Sequence, residues 1–113
     1  MPEVSTHQKY LDMQASDLAA IKRDEALTRL KANPDFQSLI LQHYMVDNCA
    51  HHAHNAAVLG WSPEKRADAI AAATAPGHLV NYMMAIEHAA GVALGRQAEL
   101  AEALHATSEE DGQ

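Results

Sequence analysis

The chain has 113 residues, room for one small domain, and only 11 Leu, 5 Val, 4 Ile and 1 Phe among them, 21 in all or about 19%, just under the level at which disorder competes with folding. Alanine supplies about a fifth of the residues, and it forms helix readily while burying little surface, so the composition predicts helices around a thin core that borrows surface from a partner. After residue 32 ten acids face only Lys65, Arg66 and Arg96, which carries the whole net charge of −7 and excludes a run of phosphates or an anionic membrane as direct partner.

No apolar stretch approaches the roughly 18 residues of a membrane span, the start MPEVSTHQK has no signal-peptide core, and the single Cys49 closes no internal disulfide. A reducing, cytoplasmic setting is expected.

Ser5-Thr6-His7-Gln8 has the spacing of a capping box and predicts a first helix over 6–31. Its apolar positions Leu11, Ala15, Leu18, Ala19, Ala26 and Leu30 share one side, but Lys22 and Arg29 intrude, so it is expected to lie exposed. Asn33-Pro34 restarts the chain, Asn as cap and Pro at the first helical position, for a second helix over 34–59 that Gly60 ends in the left-handed conformation. Ser62-Pro63 repeats the signal and opens a short third helix over 63–73. Pro76-Gly77 breaks it, and a last helix over 78–106 precedes a disordered acidic tail, 107–113. The fold class expected is all-α, a small bundle or hairpin of about four helices in a single domain, 1–106.

In the last helix Leu79, Met83, Ile86, Ala90, Ala93, Gln97, Leu100 and Leu104 alternate in steps of four and three, the signature of a supercoiling contact seam. Gln97 is a polar interruption that fixes register or oligomer state. The seam packs on another subunit or on helix two of the same chain, and both hold if neighbouring copies exchange helices.

At 100° per residue Phe36, Ile40, His43, Asp47, His51, His54 and Val58 fall on one side of helix two, with His52 pointing to the other. Three readings stand for this strip. His43, Asp47, His51 and His54 are candidate metal ligands, although His43 and His51 stand about 12 Å apart along a helix, so only a neighbouring pair can share one ion, completed by His88 or a second subunit. A hydrogen-bonded polar seam that fixes helix pairing is the second. Plain exposure is the third, because Leu39, Val46, Ala50, Ala53 and Ala57 make a rival apolar side. In each case eight His against −7 bring the formal charge towards zero between about pH 7 and 5, changing self-association.

Catalysis finds no support. Cys49 lies in mid-helix without a cation cluster to activate it, the glycines are too scattered for a phosphate loop, and no Ser occupies a strand-to-helix elbow. No enzyme activity and no cofactor are expected.

The run Ala26-Leu27-x-x-Leu30, Asn33-Pro34-Asp35-Phe36-x-x-Leu39-Ile40 and Tyr44, continued through Pro63-Glu64-Lys65-Arg66, Ile70, Leu79, Tyr82, Met83 and Ile86, resembles a family of small helical proteins encoded among the head and connector genes of tailed bacteriophages. The likeness covers about residues 26–104, and its most specific piece is the Asn-Pro-Asp-Phe turn. Where that family continues with a charged stretch, this chain carries His51, His52 and His54. The resemblance implies a many-copy virion or assembly component without catalysis, found in the virion or host cytoplasm, partnered by itself or by a capsid or connector protein. The alternative is a histidine-rich metal-binding bundle. A regulator of a host protein acting through the last helix differs only in its partner.

Overall fold

The computed structural model describes residues 5–111, and among these every regular element is helical. Helix α1 (Thr6–Lys31) starts at the expected residue. Ser5 Oγ accepts from Gln8 N at 3.0 Å, but the Gln8 side chain donates forward to Asp12 Oδ1 at 2.9 Å, so only half of the capping box forms. Arg29 and Lys31 close the helix, where cations suit the negative end of the dipole.

Asn33 caps the next rod as its sequence predicts. Its Oδ1 accepts from the amides of Asp35 (2.9 Å) and Phe36 (3.1 Å), and Pro34 fills the position where no donor is lost. Helix α2 (Pro34–Phe36) runs without a break into a π-helical segment, Gln37–Asn48, and then α3 (Cys49–Ala56). This rod ends at Ala56, three residues short of the expected Leu59. Gly60 does take a positive φ of 87°, in the loop rather than at the helix end.

Helix α4 (Pro63–Gly95) corrects the reading of two helices broken at Pro76-Gly77, because it passes straight through both residues. The working restarts place a side-chain acceptor before the proline, Asn33 in one case and Ser62 in the other, where Ser62 Oγ accepts from Lys65 N at 3.1 Å. Ala75 precedes Pro76 and offers no such cap. Pro76 is buried, and the helix propensity of the surrounding alanines carries the helix past the one backbone bond the proline forfeits.

The true interruption is at Arg96, between α4 and α5 (Gln97–Asp111). There the amide of Arg96 reaches back only three residues, to the Ala93 carbonyl. Helix α5 includes Thr107 and Ser108, which the sequence assigned to the tail, and Thr107 is partly buried. Gly112 and Gln113 lie outside the described residues.

The chain divides into two compact units rather than one, the first formed by residues up to 26 and from 85 onward, the second by 27–84. In the first, Asp17 pairs with Arg96 and His7 with Thr107. One helix descends as the other ascends, so α1 and α5 are antiparallel. Asp17, Ile86, Ala90, Ala93 and Leu100 are buried here. In the second unit the α2-to-α3 rod and the first part of α4 form an antiparallel hairpin, tied by Cys49 to Ala73, with Leu27, Ala69, Pro76 and Met83 buried.

Candidate functional site

The histidine strip lies across the π-helical segment, and that alters its geometry. A π turn is wider than an α turn and bonds each amide to the carbonyl five residues back, so side chains five apart become neighbours. Gln42 Nε2 donating to Asp47 Oδ1 at 3.0 Å shows this directly. The less exposed residues of the rod are Phe36, Ile40, Leu41, Met45, Asn48, Cys49, His52, Asn55 and Ala56, a repeat of about four to five through the π segment and of three to four after it.

This repeat corrects the wheel drawn at 100° per residue. His43, Asp47, His51 and His54 are all exposed, as is Val58, and His52 is the one of the group turned inward. His51 Nε2 is engaged by Asn55 Nδ2 at 3.2 Å, and its ring meets that of His52 edge-on at 5.7 Å. Among the described residues no group of three or more His, Cys, Asp or Glu stands close enough to hold a metal ion. The rival apolar side, Leu39, Val46, Ala50, Ala53 and Ala57, is exposed as well.

Cys49 is half buried, and its thiol donates to the Ala73 carbonyl at 2.8 Å. Pro76 withdraws its missing donor from the adjacent Ala72 carbonyl, so the thiol restores a bond beside the gap the proline makes. That is a packing role for the sulfur.

The expected seam is divided between the units. Leu79 is half buried and Met83 buried in the second unit, while Ile86, Ala90, Ala93 and Leu100 are buried and Leu104 half buried in the first. Among the described residues the latter group lies on the end of α4 and on α5, in one unit with α1, not with helix two. Gln97 departs from the seam. It is exposed, and Arg96 takes the inward place instead.

A buried ion pair in the first unit was not visible to sequence reasoning. Asp17, with only 5% of its surface exposed, receives Arg96 Nε on Oδ2 at 2.7 Å and Arg96 Nη2 on Oδ1, a bidentate pair. The bonds from Arg96 hold the Asp17 carboxyl below its ordinary range against the opposing effect of burial, and the same bonds raise Arg96. One signal did exist, since Arg96 is the only Lys or Arg after residue 66. At the far end of this unit His7 Nδ1 lies 2.8 Å from Thr107 Oγ1. The Thr107 hydroxyl donates to the Ala103 carbonyl at 2.9 Å, so His7 is the donor.

Two hollows flank the Asp17 and Arg96 pair. One, of about 210 Å³, is lined by Tyr10, Met13, Arg96, Glu99, Leu100 and Ala103. The other, of about 220 Å³, is lined by Gln14, Asp17, Leu18, Gln97 and Leu100. In the second unit a shallow groove of about 280 Å³ contains His52, Asn55, Trp61, Lys65 and Asp68, with the Lys65 ammonium 4.3 Å above the Trp61 ring. Among the described residues no helix is long and apolar enough to cross a membrane. The chain matches no protein-family model, no curated protein and no solved structure.

Proposed function

We propose that this chain is a non-catalytic helical assembly protein that completes its core on other protein surfaces, either copies of itself or a larger particle protein. The observation that carries this reading is unspent apolar surface. Among the described residues seven apolar side chains are buried, three of them alanine, while fifteen large hydrophobics are exposed, Leu59 at 92% and Leu39 at 62%.

The resemblance of the run from Ala26 through Asn33-Pro34-Asp35-Phe36 to Ile86 supplies the setting, a tailed-phage head or connector. The burial of Ile86, Ala90, Ala93 and Leu100 means that these seam residues are already covered, so assembly uses other faces. Sedimentation velocity across 1–100 μM tests the reading. Oligomers, or binding to a co-expressed coat or connector protein, are expected. A compact, cooperatively unfolding monomer that binds neither overturns it.

A further inference from the structure

Helices end at prolines, at left-handed glycines or at side-chain caps, and the junction of α4 and α5 has none of these. Leu94-Gly95-Arg96-Gln97 holds no proline. Among the described residues only Gly60 takes a positive φ, so Gly95 is no left-handed stop, and a Cβ placed on it would meet nothing within 4 Å. Arg96, the residue just before α5, has a side chain that only donates and cannot cap. What marks the junction is one tight turn. The Arg96 amide reaches the Ala93 carbonyl at 3.4 Å, and Leu100 N resumes α spacing on the Arg96 carbonyl at 3.0 Å.

That turn also moves the seam by one residue. Ile86, Ala90 and Ala93 are buried in steps of four and three, and the same alternation continues along the chain through Gln97, Leu100 and Leu104. A three-residue turn sets Arg96 above Ala93 instead, where it is half-buried, and leaves Gln97 exposed. Arg96 is held there by Asp17 through two bonds. Among the described residues Asp17 is the one buried side chain that α1 contributes to this unit, so a charge pair rather than apolar packing on α1 selects the register.

We propose that the Asp17 and Arg96 pair is a register switch worked by α1. With α1 seated, Arg96 faces inward and the tight turn separates α4 from α5. With the pair broken, the Arg96 amide returns to the carbonyl of Val92, four residues back, Gln97 takes the seam position, and the two helices run on as one. The bond regained is a neutral one, weaker than the bidentate charged pair it replaces, so the form with the tight turn is the resting state. Release of α1 converts an interrupted stripe into the even alternation of four and three that supercoiling requires. In its seat α1 is therefore a self-contact that withholds that form. The switch goes beyond the assembly reading and does not depend on it.

Amide hydrogen exchange by NMR on the full chain tests the switch, with the protection factor of residue 96 read against those of Leu94 and Leu100. Residue 96 is expected to be the least protected of the three in wild type. In Asp17→Ala its protection relative to those neighbours should rise on the order of tenfold, the worth of one backbone hydrogen bond. Should this variant lose helicity, Asp17→Ala with Arg96→Ala strands no charge and is expected to show the same rise. Gly95→Ala improves helix propensity at the junction while leaving the pair intact, and it is expected to keep the relative protection of residue 96 within about twofold of wild type. A residue 96 as well protected as its neighbours in wild type, a tight turn that persists in both Asp17 variants, or one that Gly95→Ala closes overturns the proposal. Where both Asp17 variants unfold, the Gly95→Ala comparison decides by itself.

Discussion

The two units solve the shortage of large side chains in different ways. In the first, α1, the last turns of α4 and α5 keep ordinary α geometry, and small residues on α4 let a neighbouring helix approach, with Ala90 and Ala93 each only 1% exposed. A bidentate Asp17 and Arg96 pair then fixes the register. In the second, the hairpin departs from α geometry twice, through the π segment Gln37–Asn48 and through Pro76 inside α4, and the departures bring Met45, Cys49 and His52 inward. A thin core is thus completed by a specific polar bond in one unit and by bending the helical repeat in the other.

Removing the polar bond is the largest single perturbation expected. In Asp17→Ala the Arg96 guanidinium loses both of its bonds to the carboxylate within a half-buried site, which lowers the thermal midpoint by on the order of 10 °C. Circular dichroism at 222 nm measures the loss, and Trp61, the one tryptophan and a residue of the second unit, should report a smaller shift by fluorescence. Equal shifts by both probes would erase the contrast between the units. The pair also sets a pH dependence. Arg96 lowers the native Asp17 value below the reference 3.8, so the unfolded chain takes up the proton first. The contribution is therefore complete above about pH 4 and is lost as pH falls through the lowered native value. Asp17→Asn removes this acid limb from the stability profile.

The apolar core of the second unit ranks next. Met83 is 7% exposed, and Met83→Ala should cost about 2–3 kcal/mol, the lower part of the range for such truncations, because a thin core collapses readily around the space. Urea unfolding followed at Trp61 reads it directly. A loss below about 0.5 kcal/mol would mean that this unit does not depend on its few large side chains.

What could be read from residues alone was local. Ser5, Asn33-Pro34 and Ser62-Pro63 mark helix starts because a cap needs only a side chain and the next three amides. The Pro76 error has the same root in reverse, since a proline without a preceding cap is a weak stop, and Ala75 shows that in the sequence. Of the three readings of the strip, exposure agrees with His43, Asp47, His51 and His54, but the wheel that joined them to Phe36 and Ile40 was wrong because one angle per residue was carried through a segment with a wider turn. The alternative spacing Phe36, Ile40 or Leu41, Met45 and Cys49 was present but belongs to a rare geometry. The Asp17 and Arg96 pair was out of reach because 79 residues separate its members, and only the isolation of Arg96 among acids pointed to it.

Pro76 offers a gain in place of a loss. Pro76→Ala restores a backbone donor for the Ala72 carbonyl and improves helix propensity, while the buried ring leaves a small space and the unfolded chain regains freedom. The balance should be stabilising by about 1–2 kcal/mol. Denaturant midpoints measure it, and a destabilised variant would show that ring packing, not tolerance by the neighbouring alanines, carries the helix through this point.

Cys49 gives the smallest effect and the most direct check on the link between the hairpin arms. Its thiol reaches a carbonyl beside the proline gap, on the opposite arm of the hairpin. Cys49→Ala removes a weak donor and a little volume and should cost about 0.5–1 kcal/mol. Cys49→Ser shortens the reach but keeps a donor, so it should recover part of that cost. The decisive measurement is the double variant with Pro76→Ala. If the thiol compensates for backbone disturbed by the proline, Cys49→Ala should cost less once the proline is gone, and the two changes will not add. Strict additivity would show that the thiol bond and the proline are neighbours without being coupled.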